Sequence, residues 1–147
     1  MKKVASRDTP IFPASGETLY FVNSLNDGYL RLDLKQISFY EYKAGAKDMK
    51  VAWSNARERA VFIEREKLFF EPISSDEAYV AFILAHEIGH IELGHVTREK
   101  ETVDEKEEME KDASKFATDI LSKTIGPEMA EQLRQRWWND WQSGRWD

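Results

Sequence analysis

A chain of 147 residues without a single cysteine has neither a disulfide framework nor a thiolate metal site, so any metal it binds must take His and carboxylate ligands. Its net charge of −6 argues against nucleic-acid binding through phosphate contacts. No apolar run is long enough to span a bilayer and none follows the basic start MKKVASRDTPIFP, so the expectation is a single domain over residues 1–147, without signal peptide or membrane insertion, in the cytoplasm.

Residues 1–72 read as a strand-rich half. Thr18–Val22, Tyr29–Leu34, Ile37–Tyr42, Lys50–Trp53 and Ala60–Glu64 are rich in aromatic and β-branched residues, with Asn26-Asp27-Gly28 and Ala44-Gly45 between them as turns. Residues 73–147 read as helices. Ser74 is placed to cap the first, with Glu77 three positions on as in a capping box. From Tyr79 to Ala85 this helix is apolar all round, which predicts a buried position, and Gly94 is suited to end it. A second helix is expected from about Asp104 to Leu121. Gly126 then breaks the chain, and Pro127 suits the first position of a third helix. Met129, Leu133, Trp137 and Trp141 recur at i+4 in that helix and predict its packing face. The expected fold class is α+β: a small, mostly antiparallel N-terminal sheet packed on a helical C-terminal half.

The run FILAHEIGHIELGH, from Phe82 to His95, contains His86, Glu87 and His90 in the order H-E-x-x-H. On a helix, positions i and i+4 lie about 40° apart, so both imidazoles leave one face and can share one metal. Glu87 then stands beside the metal, where a carboxylate can take a proton from water. This is the zincin spacing of metal-assisted peptide hydrolysis. The chain has 3 His, all inside this run, a clustering that scattered structural histidines do not produce.

A third ligand must come from elsewhere, and the acidic stretch after Glu99 is crowded with candidates. Setting Met109 at 0° and turning about 100° per residue puts Phe116, Ile120, Ala113, Ala117 and Leu121 on one apolar arc. Glu110 falls inside that arc; Asp112 falls just outside it and Glu108 well outside. A carboxylate aimed at a core is costly unless a cation meets it. The alternative is a partly exposed Glu110 at the helix start, paired with Lys106. His95, five residues after His90, would point about 140° away on a continuing helix. It can serve as a ligand only if the chain turns at Gly94, and a place beside the ligands or at the surface suits it better. His95, Tyr79 and Arg134 are the candidate donors to a developing oxyanion, with nothing in the sequence to choose among them.

HEIGHIELGH followed by Glu110-Lys-Asp-Ala-Ser-Lys-Phe-Ala117 resembles the gluzincin pattern, in which two His from H-E-x-x-H join a Glu from a later E-x-x-A helix. It is similar to the HtpX-like peptidases, whose second motif reads E-x-x-A-D, and to the ImmA/IrrE metallopeptidases, whose corresponding stretch commonly reads E-x-E-A-x-x-F-A. Both resemblances put the third ligand on Glu110. The chain departs from the first in lacking membrane helices and in having Ser114 where the Asp would stand, and from the second in having Asp112 where a Glu would stand. The resemblance covers roughly Asp76 to Leu133. It implies a zincin-like fold, one Zn²⁺ per chain on His86, His90 and Glu110, and Glu87 as the base. The implied activity is that of a zinc-dependent metallo-endopeptidase acting on a protein or peptide substrate through a metal-activated water. The strand Ala60–Glu64 is expected to be the sheet edge along which an extended peptide lies. The other reading is a non-catalytic or regulatory zincin-like protein that acts on a partner protein by contact.

Overall fold

The computed structural model describes residues 11–42, 51–69, 76–96 and 102–143. Its architecture is α+β. Strand β1 (Ile11–Pro13) leads to helix α1 (Gly16–Leu25), which widens into a π-helical turn over Asn26–Leu30. Strands β2 (Ser38–Tyr42), β3 (Ala52–Asn55) and β4 (Ala60–Glu64) follow, then a short helix α2 (Arg65–Phe69) and three long helices: α3 (Glu77–Glu92), α4 (Val103–Ile125) and α5 (Pro127–Gln142). Among the described residues no helix is long and apolar enough to cross a membrane.

The sheet runs in the order β1-β2-β4-β3. The β1–β2 and β3–β4 pairs are antiparallel, while β2 and β4 are parallel, with Ser38 opposite Ala60 and Tyr42 opposite Glu64. Ala60–Glu64 is therefore an inner strand, paired on both sides, and the expectation that it forms the peptide-binding edge is corrected. The terminal strand on that side is β3, and α3 packs against it. The inner position agrees with the sequence of β4, whose five residues are all buried, as an inner strand covered on both faces should be. Val61 and Ile63 enter the main core, while Ala60 and Phe62 join Tyr42, Tyr40 and Trp53 in a smaller cluster on the opposite face.

Two expected strands are absent. Thr18–Val22 lies inside α1. Its aromatic and β-branched run suits a strand, but Thr18, Val22 and Leu25 are its buried positions, at the 4- and 3-residue spacing of a helix stripe. A tertiary cap settles the matter. Ser15 is the N-cap, and the Glu41 carboxylate on β2 accepts from the Ser15 N–H, the Ser15 hydroxyl and the Thr18 hydroxyl. A negative charge at a helix N-terminus is favourable, and no local reading of Ser15-Gly-Glu-Thr could supply Glu41. Tyr29–Leu34 forms the end of the π-helical turn and an irregular segment. Arg31 adopts a left-handed φ of 54°, and the Asn26 side chain brackets Leu32, donating to its carbonyl and accepting from its N–H, both at 2.9 Å. Of Lys50–Trp53, the strand proper begins at Ala52; Lys50 and the expected turn at Ala44-Gly45 lie outside the described residues.

The helical half follows its sequence more closely. Tyr79 through His86 are all buried in α3, which packs against α4, α5, β3 and β4. Its cap is Asp76, whose carboxylate accepts from the Tyr79 N–H at 3.2 Å; this corrects the choice of Ser74, which lies outside the described residues. Gly94, with φ of 67°, follows the helix end and allows the left-handed turn a side chain would resist. Helix α4 is longer than expected because Thr102 and Glu105 close a capping box before it and Gly126 ends it. In α5, Ala130, Leu133 and Trp137 are buried, whereas Met129 is 49% exposed and drops out of the expected packing face. Asp140 accepts from the Tyr79 hydroxyl, and Arg136 lies over the Tyr79 ring while pairing with Asp76, so α5 clamps the start of α3.

Candidate metal centre

His86 and His90 leave one face of α3, one turn apart, and meet Glu110 from α4. His86 Nε2 lies 2.9 Å from Glu110 Oε1 and 3.1 Å from His90 Nε2, and His90 Nε2 lies 3.3 Å from Glu110 Oε2. All three side chains are buried, and their ligand atoms fall within 4.8 Å of one another, a group that could hold a metal ion. Ligands about 2.0–2.1 Å from a tetrahedral ion stand roughly 3.3–3.4 Å apart, so these distances need to open by only a few tenths of an ångström to admit one. A buried carboxylate that meets two imidazole Nε2 atoms also fits a cation-binding role, because a cation that displaces the protons between them finds a lone pair on each group directed at a common point.

Close helix packing makes the convergence possible. A Cβ on Gly89 would stand 3.0 Å from Phe116 Cδ1 and 3.2 Å from the Ala113 carbonyl oxygen of α4. Gly89 and Ala113 thus let the two backbones approach until Glu110 reaches both imidazoles. Along α4 the buried positions are Glu110, Ala113, Ser114, Ala117 and Leu121, a continuous stripe on one face. Pairing of Glu110 with Lys106 is not what buries it: the carboxylate faces His86 and His90.

The imidazoles are held from behind. Ser114 Oγ lies 3.1 Å from His86 Nδ1, so the serine standing where the HtpX-like motif has Asp reaches that ring. Trp137 of α5 stacks on His86 with centroids 4.0 Å apart. The turn at Gly94 brings His95 back, and its Nδ1 sits 2.9 Å from His90 Nδ1. An imidazole that binds a cation through Nε2 carries its proton on Nδ1, so His90 would donate to His95, and His86 to Ser114, fixing both rings in the ligating tautomer. His95 therefore stands beside His90 and outside the group of three. It also lines an open cleft of about 600 Å³ with Arg57, Glu108 and Asp112.

Nε2 of His86 and of His90 faces the Glu110 carboxylate, the place a bound cation would take. Burial pushes the His86 pKa down, outweighing the Glu110 carboxylate that would raise it, so His86 is held neutral. Burial would raise Glu110, but hydrogen bonds from His86 and His90 outweigh it and hold the carboxyl well below the usual range. Burial and the neighbouring His90 likewise lower His95.

Glu87, half-buried and close enough to His86 to act on its charge, accepts a hydrogen bond from Ser54 Oγ of β3 at 2.9 Å. Of the three candidate oxyanion donors, Tyr79 is fully buried two turns before His86 and bound to Asp140, and Arg134 is paired with Glu131; His95 is the one beside the ligands. Sequence reasoning missed Ser54. Strand alternation gives the face of a residue, but no local signal announces a hydroxyl that meets a glutamate 33 positions away.

No curated protein and no solved structure matches the chain. The model of the Peptidase U49 family matches residues 77–137, which carry α3, α4 and most of α5 and hence all three converging side chains and Glu87, so over this stretch the chain is similar to a peptidase family.

Proposed function

We propose that this chain is a zinc-dependent metallo-endopeptidase. The observation that carries the reading is the convergence of His86, His90 and Glu110 on one point beside a carboxylate, within the stretch similar to a peptidase family. Two imidazoles and one carboxylate form the donor set of catalytic zinc sites that keep a position for water. When bound there, Zn²⁺ would lower the pKa of a coordinated water and polarise a peptide carbonyl.

The remaining work falls to the protein. Glu87 takes a proton from the attacking water and delivers it to the amide nitrogen as the C–N bond breaks, leaving a carboxylic acid and an amine. His86 and His90 keep their Nε2 atoms toward the site because Ser114 and His95 accept at Nδ1. The terminal strand β3, packed on α3, is the edge on which an extended peptide would lie, its main chain adding to the sheet with little demand on side-chain sequence.

Glu87→Gln separates the roles. The variant should bind zinc as the parent does and lose about 100-fold or more in peptide hydrolysis, the scale of a general base. Zinc content by elemental analysis, with cleavage of a mixed-sequence fluorogenic peptide library, measures both. Undiminished cleavage would remove Glu87 from the chemistry. A wild-type protein that holds zinc and cleaves nothing would favour the regulatory reading instead.

A further inference from the structure

Ser54 occupies a position that the peptidase reading does not by itself explain. In an antiparallel ladder, directly opposed residues alternate between pairs that exchange hydrogen bonds and pairs that do not. The Glu64 N–H donates to the Val51 carbonyl at 2.9 Å, and the register continues with Ala52 opposite Ile63, Trp53 opposite Phe62 and Ser54 opposite Val61. Val51–Glu64 thus marks a hydrogen-bonded position of the ladder, Trp53–Phe62 is the next by alternation, and the backbone N–H and C=O of Ala52 and Ser54 turn away from β4. Among the described residues β3 ends the sheet, so these groups face its open side.

The side chain of Ser54 goes elsewhere. Trp53 stacks on Phe62, on the sheet face away from the main core, with ring centroids 4.0 Å apart. By alternation Ser54 faces α3, where its hydroxyl donates to Glu87 Oε1 at 2.9 Å. Among the described residues Glu87 Oε2 has no such donor. One residue therefore offers its main chain to the open edge and its hydroxyl to the carboxylate beside the metal group.

We propose that Ser54 is a positioning residue for Glu87: its hydroxyl holds one carboxylate oxygen so that the other faces the water, and it does so from the strand residue whose backbone meets the substrate. A glutamate that is half exposed has three side-chain torsions to fix, and a charged acceptor makes a hydroxyl a strong tether. The proposal rests on the reading of Glu87 as base, and the experiment keeps the two apart.

Ser54→Ala, Ser54→Thr and Glu87→Gln would be compared in the zinc-loaded full chain, on one fluorogenic peptide chosen from the library by its cleavage. Ser54→Ala keeps the backbone and should lower kcat roughly tenfold or more, the effect of a lost charged hydrogen bond and a misplaced base, with KM changed by less than about threefold. Zinc content and melting temperature should stay at parent values. Ser54→Thr, which retains the hydroxyl, should recover most of the rate. A silent Glu87→Gln beside a fully active Ser54→Ala would overturn the role of Ser54 and leave the base intact. A loss in Ser54→Ala that appears in KM or in melting temperature with kcat intact would make the serine a structural tie. An active Glu87→Gln, or no cleavage by the parent, would sink both readings together.

Discussion

At the scale of single residues, the site depends on groups that orient the proposed ligands as much as on the ligands themselves. His95 Nδ1 lies 2.9 Å from His90 Nδ1 and Ser114 Oγ lies 3.1 Å from His86 Nδ1, each placed to accept from a ring that ligates through Nε2. Losing such a partner typically costs about 10–100-fold in metal affinity, because the ring must then find its tautomer and orientation unaided. His95→Ala should therefore weaken zinc binding by about tenfold while leaving all three proposed ligands in place. Competition against a chromogenic chelator measures this; an affinity equal to the parent's would return His95 to the surface. The convergence of His86, His90 and Glu110 was legible in the sequence because helix periodicity, a local rule, puts the two imidazoles on one face of α3 and Glu110 on the buried face of α4. The exchange between His90 and His95 needs the left-handed turn at Gly94, which the sequence permits without dictating its direction.

At the scale of elements, the decisive feature is the distance between α3 and α4. Gly89→Ala should gain helix propensity, up to about 1 kcal/mol. Against that, the new methyl would press on the Ala113 carbonyl oxygen at 3.2 Å, backbone that cannot rotate aside, and on Phe116. Overpacking of this kind costs about 1–3 kcal/mol, so a net loss of roughly 1 kcal/mol is expected. The larger consequence is geometric: α4 carries Glu110, and moving the helix by a few tenths of an ångström draws the carboxylate away from both imidazoles. Urea unfolding and zinc titration of Gly89→Ala should thus show a small stability loss beside a disproportionate loss of zinc affinity. Equal affinity in the two proteins would mean that the helices can part without moving the site. The same contrast explains which elements the sequence revealed. Helices α3 and α5 carry their own start and stop signals, whereas the local Ser15 cap of α1 is reinforced by Glu41, more than twenty positions away. Likewise β4 owes its inner place to pairing with both β2 and β3, which its all-buried sequence suits without specifying neighbours.

For the whole molecule, the buried group ties folding to pH and to metal. Above the ordinary value of 6.5, His86 is neutral in both folded and unfolded chains. Below it, the unfolded chain takes up a proton that the folded site refuses, since burial has lowered the His86 pKa, so stability falls with pH from about that point. Glu110 acts in the same direction at lower pH. Its folded pKa is depressed, so the stability it contributes is present above its ordinary value of 4.5 and is lost as pH falls further toward the folded value. The metal-free protein should therefore lose stability in two stages on acidification, the first beginning near pH 6.5. Zinc at 100 times its dissociation constant should add about 2.7 kcal/mol near neutral pH. That increment should shrink on acidification, because protons and the metal compete for the same Nε2 and carboxylate atoms. Thermal unfolding from pH 8 to pH 3, with zinc and with a chelator, tests both statements at once. Two curves that stay parallel as the pH falls would show that the zinc sits somewhere other than on His86, His90 and Glu110, the group of described side chains close enough together to hold a metal ion.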